Sequence, residues 1–161
     1  MYAISRQPVA SARTAASGNR LYAAVLPAAA AVFAAVAAGI HAAVTDEYLT
    51  AWWGYGLFFF VVTLTQAGFA LLVLSERQPA VFAFGLVGNV AMLGLYFVTH
   101  AVAVPFGPQG GEAVAVGRLD TFAALAEGGS VLVLLLLLGR AVANEPTPSR
   151  QNDDAIEASD R

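Results

Sequence analysis

Residues 82–105 read FAFGLVGNVAMLGLYFVTHAVAVP. The run contains no Asp, Glu, Lys or Arg, and it exceeds the ~20 residues a helix needs to cross a bilayer. It nevertheless carries Asn89, Tyr96 and His100. A helix turns by about 100° per residue, so offsets of seven and eleven residues return to nearly one face. The three residues therefore form a polar stripe on an apolar rod. Lipid offers a polar group no partner, so the stripe must face other helices. The rest of the chain is expected to cover it.

The whole chain shares this character. Of its 161 residues, 58% are hydrophobic and 12% charged, against about 25% charged in a soluble domain. Mean hydropathy is +0.68. These values point to an all-α, polytopic membrane protein. Cysteine is absent, which excludes disulfides, thiolate metal sites and iron–sulfur clusters. Every basic residue is Arg, and the formal net charge is −3. The densest acidic cluster, Asp153, Asp154, Glu157 and Asp160, lies near the C-terminus. Nothing resembles the basic face that binds nucleic acid.

Working outward from the central stretch gives four spans. Residues 1–20 are polar, small and Arg-bearing, and read as a flexible tail. The first helix is expected over 21–44, rich in Ala and Val, with Pro27 near its first turns, where a missing N–H costs least. A secretory signal is the competing reading of this end. The apolar run exceeds the ~7–15 residues of a signal core, and its polar lead is long. Residues 45–50, with Asp46 and Glu47, read as a short acidic connection. The second helix is expected over 52–74. It opens on Trp52, Trp53 and Tyr55, rings that favour the membrane interface, and carries Gln66 deeper in. Pro79 suits a helix start, which places the third helix over 80–104. Prolines and glycines in 105–116 mark a loop. Asp120 is expected to cap the fourth helix, 121–143, which holds Glu127, Gly128, Gly129 and Ser130 before a Leu run. Residues 144–161 read as a disordered acidic tail. Arg6, Arg13, Arg20, Arg77, Arg140 and Arg150 fall on one side of this four-helix bundle, and Arg118 on the other. The positive-inside rule then places both termini in the cytoplasm and the protein in the cell membrane.

The polar residues of the four spans fall at related depths. At about 1.5 Å per residue, His41, Tyr55, Tyr96, His100, Asp120 and Glu127 share the outer half, with Gln66 and Asn89 deeper at a common level. Below His41 run Ala38, Ala37, Ala34 and Ala30, small enough to admit a close neighbour. The expected result is a polar lane opening outward. Each member also has a plain structural role. The histidines can sit among headgroups, Gln66 and Asn89 can hydrogen-bond across helices, and the aromatic cluster can be an interfacial belt. Glu127 is the hardest to explain this way. It lies about 11 Å inside the helix start, where a bare carboxylate costs several kcal/mol.

His41, His100 and Glu127 suit a divalent metal such as Zn²⁺. His41 and His100 at similar depth would also suit a haem. Nothing in the sequence requires either group. A lane through Gln66, Asn89, Glu127 and Ser130 would suit proton or ion movement. No nucleophile–base arrangement or phosphate loop is present, so the expected role is non-enzymatic. It is that of an accessory or small-ligand- or ion-binding subunit, with the bilayer and another membrane subunit or a second copy as partners.

One further pattern bears on this. A histidine ending helix one, then WGYGLFFF with a helix-two Gln, a helix-three Asn, and PFGP followed by Asp120 and Glu127 resembles a group of small prokaryotic four-helix membrane proteins. The likeness covers residues 40–130. It implies the same topology and carries no assigned activity. That group places Arg-Thr near Thr99 and His100, which shifts weight towards Glu127 and Gln66.

Overall fold

The computed structural model describes residues 9–102, 110, 113 and 115–143, with side chains from Tyr22 onward. Among these residues the chain is all helical: α1 Val9–Ala51, α2 Trp53–Ser75, α3 Pro79–Ala101 and α4 Arg118–Ala143. All four are long and apolar enough to cross a membrane, with Tyr22–Ala51 as the candidate span in α1. The usual soluble pattern is inverted. Leu57, Leu64, Leu71, Val87, Phe97 and Leu132 are exposed, while His41, Gln66, Asn89, Glu127 and Ser130 are buried.

Two helix boundaries depart from the sequence reading. Residues 45–50 are not a connection but the last turns of α1. No Gly or Pro interrupts the chain between Gly39 and Gly54. The Thr45 and Thr50 hydroxyls donate back to the carbonyls of His41 and Asp46, at 2.7 and 3.0 Å. The helix therefore runs on until Trp52, whose extended backbone alone makes the turn into α2. Gly56 permits that turn, because a Cβ there would strike the backbone of Leu49. At the other end α1 begins at Val9, so Pro27 lies well inside the helix rather than in its first turns. The flexible tail expected at 1–20 is helical from Val9 onward, and its residues 1–8, the end of helix three at 103–104 and the tail at 144–161 lie outside the described residues.

Asp120 also plays a different part from the one expected. Helix α4 starts at Arg118. Asp120 sits in its first turn and accepts the N–H of Gly117 at 3.0 Å, while Thr121 N–H donates to Gly117 O at 3.1 Å. It closes the reciprocal half of a capping box.

The helices pack as α2–α1–α4–α3 around the bundle, and α2 and α3 barely touch. The buried stripe Ala30, Ala34, Ala37 and Ala38 lets α1 sit close to both neighbours. The Phe33 ring occupies the notch left by Gly129 of α4. Near the end where Arg140 stacks over the Tyr22 ring, 4.6 Å from its centroid, an apolar cluster of Ala30, Phe69, Val73, Phe82 and Leu134 closes the interior. Towards the aromatic end the helices leave space.

Candidate functional site

That space is a cavity of about 540 Å³, within the ~300–1,000 Å³ range of small-molecule sites. It collects side chains from all four helices. Its rings are Tyr48, Trp52, Tyr55, Phe58, Phe59 and Tyr96. Its ionisable groups are His41, Glu47, His100, Asp120 and Glu127. No Arg occurs among its described lining residues.

One wall is a buried three-residue network. The ring N–H at His41 Nε2 donates to Glu127 Oε1 at 3.1 Å, the tautomer following from the acceptor. Gln66 Nε2 donates to the same oxygen at 3.3 Å. The three residues are only 5%, 2% and 7% exposed for His41, Glu127 and Gln66. The carboxylate that the sequence made hardest to explain thus has two donors, from α1 and α2. The His41 ring also stacks on Phe59, with centroids 5.4 Å apart.

The opposite wall is looser. His100 Nδ1–H donates to Tyr96 O at 2.7 Å, which turns Nε2 towards Asp120 Oδ2 at 3.9 Å. Tyr96 packs its ring 4.3 Å from the imidazole. Tyr55 packs edge-on against Trp52 and Tyr48 at 4.9 and 6.2 Å.

The structure therefore divides the expected set. His41, Tyr55, Tyr96, His100, Asp120 and Glu127 share the large cavity. Gln66 joins it through Glu127, while Asn89 donates within its own helix to Gly85 O at 2.7 Å. The hydrogen bond expected between Gln66 and Asn89 is not made. The ligand trio His41, His100 and Glu127 does not converge either. His41 pairs with Glu127, His100 faces Asp120, and no three His, Cys, Asp or Glu side chains form a metal-binding group among the described residues.

Sequence reasoning missed Glu47 and Tyr48, because it placed them in a connection. The signal was present: Val44, Tyr48 and Ala51 follow His41 at helical spacing, and all line the cavity.

Fold and site together define a four-helix bundle, apolar enough to cross a membrane, with an acidic, aromatic-walled cavity at one end. No family model, curated protein or solved structure matches the chain.

Proposed function

We propose that this protein is a non-enzymatic membrane protein that binds a small organic cation in the cavity at the aromatic end. The observation that carries the reading is the composition of the walls. Three carboxylates line the space, with two histidines and no Arg among the described residues. Carboxylates thus outnumber imidazoles in the lining. Six aromatic rings line it as well, beside aliphatic residues such as Ile40, Val44, Met92 and Leu95. Ring faces attract cations, by roughly 0.5–2 kcal/mol each, and an aromatic cage is the usual receptor for a quaternary ammonium.

The aromatic end is the external end in this reading, and both termini are cytoplasmic in the cell membrane. The Arg distribution supports it, with Arg118 alone at the aromatic end. Partnership with another membrane subunit or a second copy is compatible with the broad apolar exterior. A haem held by His41 and His100 is not the reading we favour. His41 Nε2, the atom that would reach the iron, is committed to Glu127.

The test uses Trp52, which lines the cavity, in a Trp53→Phe background where it is the sole tryptophan. Benzyltrimethylammonium should change its fluorescence saturably. Benzenesulfonate, an anion of similar size, should bind at least tenfold more weakly. Equal responses to both ions, or none to either, would remove the cation-binding reading.

A further inference from the structure

The cavity at the aromatic end holds its carboxylates at two levels. Glu127 marks the floor, where it accepts from His41 at 3.1 Å. Asp120 lies two turns nearer the start of α4, which sets it about 10 Å further out on the same face. Both line the cavity. Glu47 follows His41 on α1 and stands about 9 Å above the same floor. Glu47 and Asp120 therefore share the outer level, and the cavity has acid at both ends.

Each level keeps a carboxylate oxygen for a ligand. At Glu127, Oε1 takes both protein donors, from His41 and Gln66. Oε2 accepts no bond among the described residues. The polar atoms sealed away without a partner include Gln66 Oε1, Asn89 Oδ1, His100 Nε2 and Ser130 Oγ, but not Glu127 Oε2. A residue only 2% exposed thus turns its free oxygen to the cavity. Asp120 divides its oxygens in the same way. Its Oδ2 takes the Gly117 N–H at 3.0 Å and faces His100, which leaves Oδ1 on a side chain that is 30% exposed.

Between the two levels the walls are apolar. Helix α4 presents Ala123 and Ala124 between its two acids, and Val44 of α1 and Leu95 of α3 line the same depth. Rings stand at both levels. Phe59 stacks on His41 at the floor, with centroids 5.4 Å apart, and Trp52 packs against Tyr55 at the mouth, at 4.9 Å.

A ligand with one charge answers one level and leaves the other. Two separate cations would each lose translational freedom, whereas a tether makes the second contact intramolecular. We propose that this cavity takes an elongated dication: two ammonium heads joined by an apolar chain, one head at Glu127 and the other at Glu47 and Asp120. The proposal rests on the cation reading above and adds to it the ligand's second charge and its length. An extended six-carbon chain sets its two nitrogens about 9 Å apart, from C–C bonds of about 1.5 Å at near-tetrahedral angles. That matches the spacing of the levels.

The test is isothermal titration of the full chain in micelles with two pairs of probes. One pair is 1,6-bis(trimethylammonium)hexane and hexyltrimethylammonium. The other is 1,2-bis(trimethylammonium)ethane and ethyltrimethylammonium. The six-carbon dication should bind at least tenfold more tightly than its one-headed counterpart. The two-carbon dication carries the same charge but cannot span the levels, so its gain should stay below threefold. In Glu47→Gln/Asp120→Asn, where Asn keeps an oxygen for the Gly117 N–H, the six-carbon gain should also fall below threefold. Equal affinity within the six-carbon pair, as large a gain at two carbons as at six, or a gain that survives the double variant would each overturn the proposal. In those outcomes hexyltrimethylammonium still reports the cation reading. Saturable binding by none of the probes would remove both.

Discussion

Replacing Glu127 by Leu removes the one acceptor shared by two buried donors. His41 Nε2–H and Gln66 Nε2–H both end on Glu127 Oε1, at 3.1 and 3.3 Å. With Leu in place both donors lose their partner, and each stranded group costs about 1–3 kcal/mol. The expected loss is about 2–6 kcal/mol, towards the lower end where cavity water can reach His41. Glu127→Gln keeps a carbonyl oxygen at the same position, so both donors can be retained. That change should cost about 1 kcal/mol or less. The pair of variants separates hydrogen bonding from charge, since Gln removes only the second. Thermal unfolding in detergent micelles measures both. A cycle with His41→Phe should show a coupling of about 1–3 kcal/mol between the two positions. If Glu127→Leu is as stable as the parent, the network contributes nothing to holding α1, α2 and α4 together, and the reasoning fails.

Other consequences follow from particular contacts. Gly129→Val would press a side chain into the Phe33 ring and should destabilise the fold by about 1–3 kcal/mol, whereas Gly128→Ala, with nothing within 4 Å of the added Cβ, should be neutral or stabilising in the same unfolding assay. Asp120→Ala should cost about 0.5–2 kcal/mol by opening the cap at Gly117, and should free His100 of its nearest carboxylate. Since the chain has no native cysteine, a Cys placed at Gly110 should react with an impermeant maleimide in intact cells and one at Ser149 should not. Labelling at Ser149 alone would reverse the orientation.

Much of the architecture could be read from the chain because membrane spans are written in composition. Twenty apolar residues are a strong signal, and all four were visible without any knowledge of packing. Glu127 stood out for the same reason, as a carboxylate inside an apolar helix. Its partners were harder to find. Depth counting put His41 in the right half and Gln66 only near it, since helix rotation about its own axis is set by neighbours. The order of the helices around the bundle carries no local signature either. Consecutive α2 and α3 would be expected to pack, yet they barely touch. The end of α1 was misread for a different reason. Asp46 and Glu47 look like loop residues in an apolar context, but charged residues are tolerated on a helix that has reached a membrane boundary. That misreading hid Glu47 and Tyr48, two of the residues that give the cavity its charge and its aromatic wall.

The central claim is that the cavity at the aromatic end selects a cation. Isothermal titration of benzyltrimethylammonium into the purified chain measures this most directly. We expect one site per chain in the parent. In Glu127→Gln, which keeps the hydrogen bonds and removes one of the three lining carboxylates, affinity should fall at least fivefold. Unchanged affinity in Glu127→Gln, or the same affinity for benzenesulfonate, would contradict the account.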